Sequence, residues 1–369
     1  MTRYGLVGAG MMGQEHIRNI ALLAATSVSA IYEPDDGMAL ESAALAPDAV
    51  RCDSLEALLA RRDVDALVIA SPNHCHAPQL KLIAATLGTG RALPILCEKP
   101  LFTDPDDAAE VASLATYGAP IWVAMEYRYM PPIAKFRALA DRATGGIKML
   151  TIREHRYPFL EKVGGWNRFN RTSGGTLVEK CCHFFDLMRL ILRDEPVRVM
   201  ASAGQSVNHL EETCNGETPD IWDNGYVIVD FKGGARAMLE LCMFAEGARY
   251  QEQISAVGPA GKIEAQVPGP ARFWNPDIGP APVPRVIISP RTPATGQVVH
   301  ETPVEMALQM AGDHHGSTYY QHEQFLKVVR GQASPQVTLS DGIAAVRMGM
   351  AAQESAHTGQ AVSLPWGRG

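Results

Sequence analysis

Over its first 125 residues the chain alternates short β-rich runs with helical stretches, an order that suits a parallel sheet flanked by helices. RYGLVG leads into MMGQEHIRNIALLA, VSAIYE into DDGMALESAALA, DALVIAS into APQLKLIAATLG and PILCEKP into PDDAAEVASLATYG, before PIWVAMEY closes the set. Parallel neighbours need a crossover to bring the chain back to the same edge, and a helix supplies it. The strand candidates are nearly continuous apolar runs, as burial on both faces requires. The pattern predicts a doubly wound α/β domain over residues 1–125.

At 369 residues the chain exceeds a typical single core, so a second domain is expected over 126–369. Helical PIAKFRALADRA is followed there by strand-like IKMLTIREHRYPF, VRVMASAG, GYVIVDFKG, ARAMLELCMF and QISAVGPAGKIEA. This mixture reads as α+β, closed by helices at TYYQHEQFLKVVRG and SDGIAAVRMGMAAQESAHTG that are free to pack back on the first domain. Residues 258–303 hold ten of the 25 prolines and read as a long irregular excursion, a lid or an oligomer arm.

Composition narrows the function classes. A net charge of −7, without a basic block, gives no footing for nucleic acid or an anionic membrane surface. No apolar run reaches membrane-spanning length. The early strand leaves no room for a leader, and seven scattered cysteines read as reduced thiols, so a cytoplasmic protein is expected.

GLVGAGMMG places Gly8, Gly10 and Gly13 between the first strand and first helix, with Met11 and Met12 opening that helix. The first glycine permits a tight turn, the second lets a pyrophosphate reach the backbone, and the third lets helix pack on strand. The helix N-terminus offers amides and partial positive charge. Glu33 ends the second strand about 25 residues after Gly8, where an acid takes ribose hydroxyls; it favours NAD over NADP. Glu98 and Lys99 of CEKPL end another predicted strand, which points Lys99 toward the nicotinamide.

GLVGAGMMG, SPNHCHAP, CEKPL and SGGTLVEKCCHFFD follow in the order and spacing of the Gfo/Idh/MocA oxidoreductases, which the chain resembles over nearly its whole length. The resemblance implies a Rossmann domain and a second domain whose large, open, mostly antiparallel sheet mediates a homodimer or homotetramer. It also implies a cofactor site with Ser71 and Asn73, the latter near the nicotinamide ribose, and with His76 opening the next helix. Its third motif, matched backward from His183, puts Glu179 at the usual aspartate and Cys181 at the usual glycine; both are departures.

The residues of that stretch support the match. On one helix starting near Thr176, Glu179, His183 and Asp186 share a face, while Leu177, Cys181, Phe184 and Met188 read as core. Thr176 and Glu179 also fit a capping box. Cys181 and Cys182 point about 100° apart and do not converge on an ion, and His74-Cys75-His76 is too compact to enclose one. No metal is expected.

These readings converge on an NAD-linked dehydrogenase acting on a secondary alcohol of a sugar, inositol or related polyol. Lys99 and His183 handle the proton, Lys99 with a pKa lowered by burial beside a cationic nicotinamide, and Glu179 orients one of them. Tyr127, Arg128, His155, Tyr157, Trp166, Asn167 and Arg168, with His183, are the candidate substrate contacts, and His314 and His315 are further ones. Two rival readings are a glycosidase that oxidises transiently with bound NAD and a dinucleotide-binding regulator.

Overall fold

The computed structural model describes residues 1–88 and 90–365. The chain divides into two compact units: residues 1–126, 161–182 and 318–347 form the first, and the remainder the second.

The first unit carries six strands, β1 (Thr2–Val7), β2 (Thr26–Tyr32), β3 (Val50–Cys52), β4 (Ala66–Ile69), β5 (Ile95–Cys97) and β6 (Ile121–Val123). They pair in parallel in the order β3-β2-β1-β4-β5-β6. All four residues of β4 and all three of β5 are enclosed, the signature of a sheet covered on both faces. Strand order reverses beside β1, and a ligand crevice is expected outside the carboxyl ends of the strands there. That is where the glycine loop and Lys99 emerge.

The second unit holds nine strands: β7 (Met149–His155), β8 (Pro196–Gly204), β9 (Asn224–Phe231), β10 (Arg236–Cys242), β11 (Glu252–Gly258), β12 (Gly261–Val267), β13 (Arg285–Pro290), β14 (Val298–Glu301) and β15 (Val362–Ser363). Their order is β14-β13-β12-β11-β7-β10-β9-β8-β15, antiparallel except for the β7–β10 pair. Burial alternates strictly along β12, with Ile263 and Ala265 inside and Lys262 and Glu264 outside. The helix Pro131–Thr144 packs on β12 and β13. Pro131 starts it where no amide partner is needed, and Gly145 ends it at φ +69°. The other face of the sheet exposes Met149, Tyr226, Ile228 and Val257.

Two expectations are corrected. Residues 258–303 are not one irregular excursion, because β12, β13 and β14 run through them and 268–284 alone forms a long connection. Their prolines sit mostly in the connections, and Pro290 ends a strand, where a missing amide costs little. The helix from Thr176 is also not continuous: a four-residue turn, Thr176–Glu179, is separated by Lys180 and Cys181 from the helix Cys182–Leu192.

Candidate active site

The glycine loop closes β1 over β4. Gly8 has φ +87°, and a Cβ there would meet the Ser71 amide nitrogen at 2.5 Å. A Cβ on Gly13 would lie 2.4 Å from the Gly8 carbonyl oxygen, so helix and strand touch backbone to backbone. Gly10 is the opposite case, with nothing within 4 Å of its Cβ position. It is the N-cap of the helix Met11–Leu22, and no side chain caps that helix. Open space beside uncapped amides is what a pyrophosphate needs, and these residues fit a dinucleotide.

A cleft of about 790 Å³ runs from this loop past Glu33 to Glu98, Lys99 and Glu179. Met11, Met12, Ser71, Asn73 and His76 also line it, whereas Gly13 lies beneath the loop. Glu33 follows β2 and is buried. Its Oε2 accepts the Ala9 amide at 2.6 Å and its Oε1 the Asp35 amide at 2.9 Å, which fixes a negative charge against the glycine loop. Asn73 donates from Nδ2 to the Ser173 carbonyl at 3.0 Å. His76 places Nδ1 at 2.7 Å from the Pro100 carbonyl and Nε2 at 2.9 Å from that of Ser71. Burial pushes its pKa down, so the neutral ring donates to one of the two and ties the loops together.

Lys99 follows β5, before a cis peptide bond to Pro100. Its Nζ donates to the Glu179 backbone carbonyl at 3.0 Å, and Cys182 donates its thiol to the same oxygen at 3.6 Å. Burial works against the ammonium, but Cys182, Glu98, Glu179 and Glu126 outweigh it and raise the Lys99 pKa. The protein's own groups thus favour Lys99 as a cation and a hydrogen-bond donor, and the lowering expected beside a cationic nicotinamide is not supplied by burial alone.

The cap position of this turn does not fall on Thr176. Gly175, at φ +83°, is the N-cap of the Thr176–Glu179 turn, and Thr176 stands inside it. Gly174 and Gly175 both take left-handed φ, and a Cβ on Gly174 would strike Val178 at 2.9 Å, so this glycine pair sets the turn's entry.

In the second unit His183 is buried, with its ring stacked on Tyr127 at 4.2 Å between centroids. The Tyr127 hydroxyl donates to Glu252 at 3.4 Å, and His314 lies 5.9 Å from the Tyr127 ring. Arg128 is engaged elsewhere: its Nε donates to Asp186 at 2.6 Å and its Nη2 to the other carboxylate oxygen, both side chains being enclosed. His155 points to the sheet face opposite the buried Glu154 and bonds Glu240 at 2.9 Å, away from Tyr127. Tyr157 meets Phe273 at 4.7 Å. His315 bonds the Pro268 carbonyl at 2.7 Å. Among the described residues no cluster of three or more His, Cys, Asp or Glu side chains could hold a metal ion.

Two family models match the chain. Residues 2–124 match the Gfo/Idh/MocA oxidoreductase family's NAD-binding Rossmann fold, and residues 137–364 match its C-terminal alpha/beta domain. The chain belongs to the Gfo/Idh/MocA oxidoreductases. It is an NAD(P)-dependent oxidoreductase with an NAD-binding Rossmann domain. Inositol 2-dehydrogenase of Leifsonia xyli subsp. xyli is 34% identical over 74% of this chain and 75% of its own. Rhizopine catabolism protein MocA of Rhizobium meliloti is 25% identical over 96% and 95%. Myo-inositol 2-dehydrogenase from Lactobacillus plantarum shares the fold, with a TM-score of 0.75 at 18% identity over 98% of this chain and 99% of that one.

In this oxidoreductase the segment 161–166 adds wall that was not foreseen: Glu161, Lys162, Val163 and Gly164 line the cleft together with Trp166. Gly164 and Gly165 take φ of +65° and +63°, and the Gly-Gly pair in the sequence was the available signal for that turn. Lys162 lies over the Trp166 ring at 5.8 Å. Asn167 and Arg168, expected as substrate contacts, are buried and are not among the residues lining the cleft.

Proposed function

We propose that this oxidoreductase oxidises a secondary alcohol of an inositol, sugar or related polyol, with NAD preferred over NADP. The observation that carries the reading is the Lys99 ammonium, held on the Glu179 carbonyl in the wall of the cleft that begins at the glycine loop. Relatives named inositol 2-dehydrogenase support the substrate class. Bound NAD supplies the hydride acceptor. The chain's own residues manage the substrate oxygen and its proton.

Lys99 donates a hydrogen bond to the carbinol oxygen and stabilises the negative charge that grows there as the carbon–hydrogen bond breaks. Glu179 holds Lys99 with its backbone oxygen and favours the cation with its carboxylate. His183, held flat against Tyr127, accepts the hydroxyl proton, and in reduction returns it. Glu33 accepts ribose hydroxyls, and its fixed charge repels a 2′-phosphate.

The exposed apolar residues on the open face of the second unit's sheet support assembly as a homodimer or homotetramer. A screen of inositols and sugars for reduced nicotinamide tests the activity. Glycoside cleavage without net reduction would replace it with the hydrolytic reading, and NAD binding without turnover on any polyol would replace it with the regulator.

A further inference from the structure

The mechanism above leaves unused a deeply buried polar line in the first unit. Glu98, the residue before Lys99, is 4% exposed. Its Oε2 accepts the Lys99 backbone amide at 3.2 Å, and its Oε1 lies 3.1 Å from Nε2 of His16. Nδ1 of His16 lies in turn 2.8 Å from Nε2 of His322. Both imidazoles are fully enclosed, one on the helix Met11–Leu22 and the other on the helix Ser317–Val329.

The protons of this line follow from valence. A carboxylate only accepts, so His16 presents Nε2–H to Glu98. With His16 neutral, its Nδ1 accepts, so that His322 presents its own Nε2–H and keeps a bare lone pair at Nδ1. That Nδ1 is the ring atom without a hydrogen-bond partner among the described residues. An idle acceptor is easier to bury than an idle N–H. Burial holds His322 well below the usual imidazole pKa, in keeping with a neutral ring. Tyr4 meets that ring edge-on at 6.0 Å. Burial works against the Glu98 charge, yet His16, Lys99 and His76 outweigh it and keep the carboxyl below its ordinary pKa.

We propose that Glu98, His16 and His322 form a positioning line for Lys99, in which the two imidazoles keep Glu98 ionised out of water and the fixed anion keeps Lys99 an ammonium directed at the substrate oxygen. The proposal rests on the reading of Lys99 given above. Cys182, Glu179 and Glu126 also face Lys99, and His76 faces it as a nearby titratable group. Glu98 differs from them in being bonded to the Lys99 backbone itself, so its charge and the lysine's placement are coupled.

The test is competitive acylation of Lys99 in cofactor-free protein as a function of pH, read by mass spectrometry, alongside the pH profile of kcat. Glu98→Gln, which keeps the shape and removes the charge, should lower the titration of Lys99 by about one unit or more and move the alkaline limb of kcat with it. His16→Leu should do the same by letting Glu98 take up a proton. His16→Gln, whose amide still donates to Glu98, should keep the wild-type profile. An unmoved Lys99 titration in Glu98→Gln overturns the proposal, as does a His16→Gln profile matching that of His16→Leu. Should His16→Leu fail to fold, the Glu98→Gln titration still decides. Near wild-type turnover in Lys99→Met alongside a shifted Lys99 titration in Glu98→Gln would instead remove the catalytic reading and leave the line standing.

Discussion

Glu33 and Arg128 show how burial changes what a residue can be asked to do. Glu33 spends an interaction from each oxygen on the Ala9 and Asp35 amides, so it shapes the loop as well as selecting the cofactor. Glu33→Ser should therefore raise NADP use relative to NAD and also weaken NAD binding, as comparative KM values would show; a wild-type protein that uses NADP better than NAD contradicts the assignment. Arg128 was legible as a charged residue after the last Rossmann strand, but nothing local in the sequence shows that Asp186 takes its fork. Removing one partner of a buried pair leaves an uncompensated charge. Arg128→Met should cost roughly 3–5 kcal/mol in denaturant unfolding, and Asp186→Leu added to it should recover much of the loss. A stable Arg128→Met variant with raised substrate KM would return Arg128 to the substrate.

Among the elements, the contact between helix Met11–Leu22 and β1 is the most tightly specified. Gly13→Ala would push a methyl against the Gly8 carbonyl, a backbone atom that cannot turn aside. It should destabilise by roughly 1–3 kcal/mol and weaken NAD binding, as thermal unfolding and cofactor titration would show; unchanged affinity would argue that the helix is free to shift. Five of the six parallel strands were legible as apolar runs alternating with helical stretches, and the glycine loop because its spacing follows a strand; β3 was not, since Val50, Arg51 and Cys52 make no apolar run. The break at Lys180 and Cys181 was not, since the local pattern from Thr176 to Leu192 is as good as one helix. The strands within 258–303 were masked by prolines that lie mostly in the connections flanking them. The Glu98–His16–His322 line joins residues 306 positions apart in its longest step, a separation at which periodicity carries no information.

For the molecule as a whole, buried neutral histidines set the response to acid. His76, His315 and His322 all have pKa values lowered chiefly by burial. Their folded values lie below the unfolded one, so the unfolded chain takes up protons first as pH falls through about 6.5. Stability should be complete above that point and decline below it, and His322→Gln should flatten the decline; a melting temperature that rises on acidification there contradicts this. The open sheet face yields a second expectation: sedimentation should show a dimer or tetramer, and Tyr226→Glu with Ile228→Asp should reduce it to a monomer. The most direct test of the central claim is turnover of the substrate found by screening, measured as reduced nicotinamide, in wild-type, Lys99→Met and His183→Ala protein of demonstrated NAD affinity. The account predicts NAD binding close to wild type in both variants and turnover lower by roughly 10²–10⁴-fold; near wild-type turnover in either variant would contradict it.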